Sequence, residues 1–245
     1  MSLKLLDDKC YVCKSDYIAK NIYGYYCIPK TSAHRYAARV ITDGKIHEPE
    51  TIDFILDNAG DADIVHAGAY FGDFLPALST GIIASSKIWA FEPNPENYFC
   101  AQKTLKINQI SNVNLYNLGL GAKRDSMYIQ ITDEHGKALG GASRISSSLK
   151  EISGRFLKVE VWKLDEIIPK DKNVSIIHLD VEGMELQALM GAISIIERCH
   201  PKIILEILPD SSILDNPWFR EKILQYGYMQ INTIHRNHYF GFFGK

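Results

Sequence analysis

The 245-residue sequence has no excess of positive charge and no long apolar run. Its formal net charge is −2 at pH 7, so it lacks the broad positive field that a phosphate backbone would attract. No stretch approaches the roughly 20 apolar residues that cross a bilayer, and the N-terminus has no apolar core of the secretion-signal type. We therefore expect no nucleic acid and no membrane among its partners.

The sequence also lacks a paired set of cysteines. Its five cysteines are odd in number and scattered, which favours reduced thiols over a disulfide framework and predicts a cytoplasmic protein. Cys10 and Cys13 form a CxxC pair, but no second pair and no two histidines follow at the spacing of zinc ligands. We therefore predict no metal ion.

What the sequence does contain is a series of apolar, β-branched runs separated by helical patterns. The predicted strands are 62–68, 87–92, 113–120, 174–180 and 202–208, and the predicted helices include 95–108 and 182–199. Nearly continuous apolar strands are typical of parallel strands covered on both faces. Two further runs, 228–234 and 238–243, predict an antiparallel hairpin. The expected fold is α/β and Rossmann-like, a mostly parallel sheet with helices on both faces and a C-terminal hairpin.

Two regions lie outside this pattern. The first 50 residues are rich in tyrosine and are expected to form an N-terminal cap, a substrate segment or a contact within a homo-oligomer, beside a main domain at 51–245. The segment 132–155 is rich in glycine and serine and is predicted to be a loop between strands at 126–131 and 157–163. Such a loop is either an acceptor lid or a plain surface loop.

The turn after the first strand, HAGAYFG, has glycines suited to a bound ligand. Gly68 and Gly72 let the backbone approach a ligand at a helix N-terminus. The spacing departs from G-x-G-x-x-G, which weakens a dinucleotide site, but such a turn can hold the methionine end of S-adenosylmethionine. Glu92 ends the second strand, where a carboxylate can accept hydrogen bonds from both ribose hydroxyls of an adenosine. The alternative is that Glu92 only precedes the helix beginning at Pro95.

Residues at the end of the third strand lie where an adenine is expected. Asn117 can hydrogen-bond to the base and Leu118 can cover its face. An ordinary exit from a strand into a loop explains these two residues almost as well.

Three titratable residues cluster where the fourth strand ends. Asp180 lies at the carboxyl end of the strand, the edge where open α/β sheets bind ligands, and Glu182 precedes the next helix. Strand alternation turns His178 and Asp180 to the same side. Asp180 or His178 is the candidate base for an acceptor hydroxyl, with Glu182 as orienter or second base. The alternatives are a helix N-terminal charge for Glu182 and a hydrogen-bonded core histidine for His178.

These segments together resemble the FkbM-like family of S-adenosylmethionine-dependent methyltransferases. The family joins a DVGANxG turn to FEPNP and KxDVEGxE segments, and this chain has HAGAYFG, FEPNP and HLDVEGME in that order. The resemblance covers residues 46–208. It implies S-adenosylmethionine as methyl donor and O-methylation of a hydroxyl group on a sugar or small-molecule natural product.

The resemblance also implies a set of donor-binding positions. They are His66, Gly68, Ala69, Tyr70, Gly72, Glu92, Pro93, Asn94, Asn117, Leu118 and Asp180. Three positions depart from the family pattern, since His66 replaces an acid, Tyr70 an asparagine and His178 a lysine. These departures leave an alternative open, a non-catalytic or diverged module of the same fold that binds an adenosine nucleoside.

Overall fold

The computed structural model describes residues 17–146 and 154–244, so the Cys10–Cys13 pair lies outside the described residues. The strands are β1 (Tyr17–Asn21), β2 (Gly24–Ile28), β3 (Asp63–Ala67), β4 (Ile88–Phe91), β5 (Val113–Tyr116), β6 (Gly119–Leu120), β7 (Asp125–Gln130), β8 (Arg144–Ser146), β9 (Phe156–Trp162), β10 (Val174–Leu179), β11 (Lys202–Glu206), β12 (Tyr228–Ile234) and β13 (Asn237–Phe242). The helices are α1 (Tyr36–Thr42), α2 (Pro49–Ala59), α3 (Leu75–Gly81), α4 (Pro95–Ile107), α5 (Leu164–Ile167), α6 (Glu185–Met190), α7 (Ile193–Cys199) and α8 (Pro217–Phe219), the last followed by a π-helical turn over Arg220–Leu224.

The main sheet has seven strands in the order β12-β13-β11-β10-β3-β4-β5. Strands β11, β10, β3, β4 and β5 are parallel, whereas β13 is antiparallel to both of its neighbours. From β3 the strand order runs through β4 to β5 on one side, and from β10 to β11 on the other, so the order reverses between β3 and β10. Ligands of open α/β sheets bind at such a switch point. The predicted Rossmann-like fold with its C-terminal hairpin is confirmed.

Alternate residues of the central strands enter two different cores. Ile64 and Ile176 pack with α2 and α3 on one face, while Val65 and Ile177 pack with α6 and α7 on the other. All five residues of β3 are buried, and each aliphatic side chain buried in this way stabilises the fold by about 1.5–3 kcal/mol. This burial on both faces explains why the strands read as continuous apolar runs.

Two additions surround the main sheet. The hairpin of β1 and β2 lies against α4, where the amide of Cys27 donates to Thr104 Oγ1 at 3.0 Å. A second sheet, in the order β6-β9-β7-β8, is inserted between β5 and β10 of the chain. The predicted loop at 132–155 was therefore only partly right, because it contains β8 and a 3₁₀ turn over Gly140–Ala142. Within the described ranges, no helix combines the length and apolarity that a membrane crossing needs.

The helix predicted over 182–199 was wrong at its start and in its middle. Glu182 and Gly183 have φ angles of 52° and 100°, outside the helical region, so α6 begins only at Glu185. At Gly191 an added Cβ would lie 2.1 Å from the carbonyl oxygen of Gly121, and this close contact coincides with the break between α6 and α7. The strand predicted over 113–120 is likewise divided, because β6 belongs to the second sheet.

Gly68 lies where the chain leaves β3 and passes over the end of β10. Its φ angle is +88°, and an added Cβ would lie 1.8 Å from the carbonyl oxygen of Asp180. The amide of Asp180 donates to the carbonyl of Ala67 at 3.0 Å, so the two strand ends cannot separate without losing this bond. Glycine is therefore required here for both its backbone angle and its size.

We predict that Gly68→Ala lowers the free energy of unfolding by about 3 kcal/mol, from backbone strain plus the clash with the Asp180 carbonyl. The matched control is Gly136→Ala, since Gly136 also has a positive φ (+76°) but an added Cβ there would meet no atom within 4 Å. Its loss should be about 1 kcal/mol. Urea denaturation measures both values, and equal losses would contradict the role of the close contact.

Candidate functional site

Two cavities lie at the carboxyl ends of the parallel strands. The larger has a volume of about 600 Å³ and is lined from α2, β3, β10 and the ends of β11 and β12. The narrower, of about 30 Å³, lies between the ends of β3 and β4, the β6 segment and residues 141–145. Gly68, Gly141, Asp180 and Glu182 line both. The two cavities therefore share one wall at the switch point of the sheet.

Most of the predicted donor-binding and catalytic residues line one or both of these cavities, and four of them line neither. The narrow cavity is lined by Gly68, Glu92, Pro93, Leu118 and Asp180. The larger cavity is lined by His66, Gly68, Tyr70, His178, Asp180 and Glu182. The remaining positions, which line neither cavity, are Ala69, Gly72, Asn94 and Asn117. Their positions indicate support of the turns rather than direct contact.

Glu92 is the polar centre of the narrow cavity. Its carboxylate accepts hydrogen bonds from the backbone amides of Tyr70 and Asn94, both at 2.8 Å. The side chain is 4% exposed, and burial raises the pKa of Glu92 to about 8, although the hydrogen bonds from Asn94, Asn97 and Tyr70 oppose that rise. The turn is thus fixed around a carboxyl group that still has a lone pair free for a ligand.

Apart from Asp180 and Glu182 at the wall shared with the larger cavity, most other residues that line the narrow cavity are apolar. They include Phe91, Leu118, Leu120, Ile145 and Met184. An apolar slot with a carboxyl group such as that of Glu92 matches the chemistry of an adenosine, whose base is flat and whose ribose has two hydroxyl donors.

Asn117 supports this slot from behind. Its side-chain amide donates to the carbonyl oxygens of Glu92 and Pro93, at 2.8 and 3.0 Å. This arrangement suits the positioning of the Glu92 backbone better than the predicted contact with an adenine. Asn94 similarly caps α4, since its side chain accepts from the amide of Glu96.

Tyr70, one of the three departures from the family pattern, leaves the narrow cavity open. Its hydroxyl donates to Ser32 Oγ at 2.8 Å, and its ring packs against Gly141. The side chain thus joins the N-terminal segment to residues 140–141 and forms a wall of the larger cavity. At Gly140 an added Cβ would lie 2.6 Å from the tyrosine hydroxyl, so the contact with this segment requires glycine.

The other two departures, His66 and His178, contact each other. They are aligned on β3 and β10, and their Nδ1 atoms lie 2.9 Å apart. Each is 2% exposed, and burial lowers the pKa of both, that of His178 to about 4. Two neutral rings share this hydrogen bond, and Phe74 stacks on His66 with ring centroids 5.1 Å apart. The arrangement favours the core-histidine alternative for His178 over a role in proton transfer.

Three carboxylates meet where the two cavities join. Asp180 follows β10, Glu182 lies in the next loop and Glu206 ends β11, with oxygen atoms within 4.8 Å of one another. Burial, followed by the charge of Glu206, raises the pKa of Asp180 well above its usual range. Burial also raises the pKa of Glu182, which lies 3.5 Å from Arg144 Nε. Among the described residues no histidine or cysteine joins the group, and we assign no metal ion to it.

Glu206 was missed by the sequence analysis. The feature that could have identified it is its position at the end of a predicted strand. That strand lies next to the one that ends at Asp180, and the carboxyl ends of neighbouring parallel strands share one edge of the sheet.

The sheet order, the C-terminal hairpin, the glycine turn and the strand-end Glu92 define a Rossmann-like methyltransferase fold. The sequence profile of the methyltransferase FkbM domain matches residues 66–228, which is more than half of the chain. The chain belongs to the FkbM methyltransferase family. The predicted family is confirmed, and membership supports S-adenosylmethionine as the cofactor.

The sequence identity between this chain and individual relatives is low. The chain is similar to Methyltransferase 1 of Beauveria bassiana (strain ARSEF 2860), with 26% identity over 164 residues, 60% of this chain and 66% of that protein. A solved methyltransferase FkbM from Methylobacillus flagellatus KT is 19% identical over 75% of this chain and 44% of its own, with a TM-score of 0.49. A SAM-dependent methyltransferase from Aquifex aeolicus is 11% identical, with coverages of 88% and 96% and a TM-score of 0.43. This chain thus spans just under two thirds of the fungal relative and less than half of the Methylobacillus protein.

We predict that positions 66 and 178 are energetically coupled. His178→Lys alone should lower the free energy of unfolding by about 3 kcal/mol, because it buries a cation without a partner. Adding His66→Asp, which restores both residues of the family pattern, should recover most of that loss. Urea denaturation of the two single variants and the double variant measures the coupling. A double variant no more stable than His178→Lys would contradict it.

Proposed function

We propose that this chain is an S-adenosylmethionine-dependent methyltransferase that acts on a hydroxyl group of a sugar or small-molecule natural product. The observation that carries the proposal is the wall that the two cavities share at Gly68 and Asp180. A donor in one cavity and an acceptor in the other would meet at this wall, and placement of the reacting atoms about 3 Å apart supplies most of the rate enhancement of such a transfer.

The residues of the narrow cavity suit the donor. Glu92 would accept hydrogen bonds from the ribose, the apolar walls would enclose the adenine, and the turn from Gly68 to Gly72 would hold the methionine end. When bound, the donor supplies a methyl group made electrophilic by the sulfonium. Because the cavity is only about 30 Å³, we infer that the segment containing Gly141 and Ile145 moves outward to admit it.

The larger cavity suits an acceptor with several hydroxyl groups. Its acidic wall residues are Glu48, Glu50, Asp73, Asp180, Glu182 and Glu206, against the guanidinium groups of Arg35 and Arg236. His47 Nδ1 lies 3.0 Å from Asp73 Oδ2, so this carboxylate already has a hydrogen-bond partner. Carboxylates accept hydrogen bonds from hydroxyl groups and repel phosphates. We therefore infer a neutral or amino-bearing acceptor rather than a phosphorylated one.

Asp180 is the residue we propose as general base. It lines both cavities, so its carboxylate can reach a hydroxyl group at the shared wall. His178 is enclosed and neutral, and Glu182 is placed to orient the acceptor from the neighbouring loop. An acceptor hydroxyl becomes a better nucleophile when Asp180 takes its proton.

The diverged, non-catalytic module remains the second candidate. The observation that favours it is the small volume of the narrow cavity, about 30 Å³ against about 600 Å³ for the larger one. Binding and turnover separate the two candidates, because the module would bind a nucleoside without transferring a methyl group.

We predict that calorimetric titration of the purified protein detects S-adenosylmethionine and S-adenosylhomocysteine but not NADH. Glu92→Gln should weaken this binding at least about tenfold, because an amide nitrogen cannot accept from the ribose and leaves a buried donor unpaired. Glu96→Gln, in the first turn of α4, is the control and should bind normally. Thermal unfolding of Glu92→Gln would verify that it folds. Unchanged affinity in Glu92→Gln would contradict the ribose assignment.

We also predict that Asp180→Asn still binds the donor but lowers turnover at least about 100-fold, the usual contribution of a general base. Transfer of labelled methyl groups to a panel of neutral, amino and phosphorylated sugars measures it. Wild-type turnover in this variant would eliminate Asp180 as the base. Donor binding without turnover on any acceptor, in the wild type, would favour the non-catalytic module.

A further inference from the structure

Glu206 lies beside Asp180 on the neighbouring strand of the sheet. Leu205 is aligned with Leu179 in the parallel pairing of β11 and β10, so the next residue of each strand, Glu206 and Asp180, emerges at the same edge. Their carboxyl oxygens lie within 4.8 Å of each other. Two carboxyl groups can form a hydrogen bond only when one of them carries a proton, so the bond would form when Asp180 takes a proton from the acceptor.

We propose that Glu206 is a positioning residue for methyl transfer, which accepts a hydrogen bond from the proton that Asp180 takes from the acceptor hydroxyl. The inference rests on the proposed function, because it assigns to Asp180 the role of base. Glu206 acts through Asp180 and needs no contact with the reacting atoms.

The transfer then balances without a further reactant. The acceptor oxygen forms a bond to the methyl carbon, and the bond from that carbon to sulfur breaks with its electron pair remaining on sulfur. The acceptor proton passes to Asp180, whose O–H group donates to the ionised Glu206. Release of this proton to water restores the pair for the next turnover.

The groups around Asp180 favour its binding of the acceptor's proton. The acidic groups around the pair include Glu48 before α2 and Glu182 and Glu185 after β10. The basic and neutral groups include Arg35, His47, Arg144 of β8, Arg236 between β12 and β13, and the His66–His178 pair. Arg144 interacts with Glu182, and Arg236 Nη1 is 3.9 Å from Glu206 with its side chain 60% exposed. Because the two histidines are neutral, negative groups face Asp180 most closely. Burial and these carboxylates, Glu206 first among them, raise the pKa of Asp180, which makes it a stronger base once ionised.

The first test needs neither donor nor acceptor. Carbon-13 NMR of labelled aspartate carboxyl groups, assigned with Asp180→Asn, follows the titration of Asp180 in the free protein. In Glu206→Gln the titration midpoint should fall by about one pH unit or more, because the neighbouring negative charge is gone. Glu206→Asp, which keeps the charge, should retain most of the wild-type midpoint. Glu197→Gln on the exposed side of α7 is the control and should leave it unchanged.

The second test measures the pH dependence of turnover. The rise of kcat with pH should move to lower pH in Glu206→Gln, by the amount that NMR detects, and the plateau should fall about tenfold because Asp180 is then a weaker base. KM for the acceptor and donor affinity by calorimetry should stay within about twofold, and Glu206→Asp should recover part of kcat.

Three results would overturn the proposal. They are an unchanged Asp180 titration in Glu206→Gln, a kcat profile that does not follow the titration, and turnover abolished by EDTA and restored by Mg²⁺. In the last case the carboxylates would hold a cation instead of a proton. Failure of the proposed function is a separate outcome, because it would appear as absent donor binding or absent turnover in the wild type while the NMR titration still reports on the pair.

Discussion

The parallel pairing of β3 with β10 is the constraint on which the site depends. At the end of this pair the backbone of Gly68 passes over the carbonyl of Asp180 so closely that no side chain fits between them. The same pairing aligns His66 with His178 and makes Gly68 and Asp180 a common wall of two cavities. In the proposed transfer, the distance between the donor and Asp180 would be set by backbone hydrogen bonds of the sheet, which are stiffer than side-chain contacts. Such rigidity is what in-line placement of two reactants requires.

The same strand pairing explains two of the three residues that depart from the family pattern. Read one at a time, a histidine in place of an acid and a histidine in place of a lysine both suggest a weakened site. Because His66 and His178 share a hydrogen bond across the sheet, they form one unit, in which a neutral pair occupies positions where the pattern has opposite charges. Tyr70 is explained separately by its bond to Ser32 and its contact with Gly141. All three substitutions alter packing around the site and leave Glu92 and Asp180 in place.

The sequence predicted what depends on local pattern. The five parallel strands, the hairpin, the helix that begins at Pro95, and the placement of Glu92 and Asp180 at strand ends follow from apolar periodicity and turn residues. The break at Gly191 was not predictable, because it coincides with a carbonyl of Gly121 distant in the chain. The position of Asn117 at a strand end predicts contact with a base. In the structure its side chain donates to the carbonyls of Glu92 and Pro93, which the sequence does not reveal. Glu206 carries no local signal, since its significance comes from the strand beside it.

The carboxylates at the shared wall also bear on how charge moves in the proposed transfer. Partly buried carboxylates repel one another and cost stability, and this repulsion contributes to the raised pKa of Asp180. A bound sulfonium would offset this repulsion before the reaction. During the transfer the donor loses its positive charge, while the pair of Asp180 and Glu206 gains a proton and loses one negative charge. The net charge at the wall is therefore the same before and after the step, so the surrounding dipoles need little rearrangement. A site of this kind lowers the barrier by being organised in advance for both states.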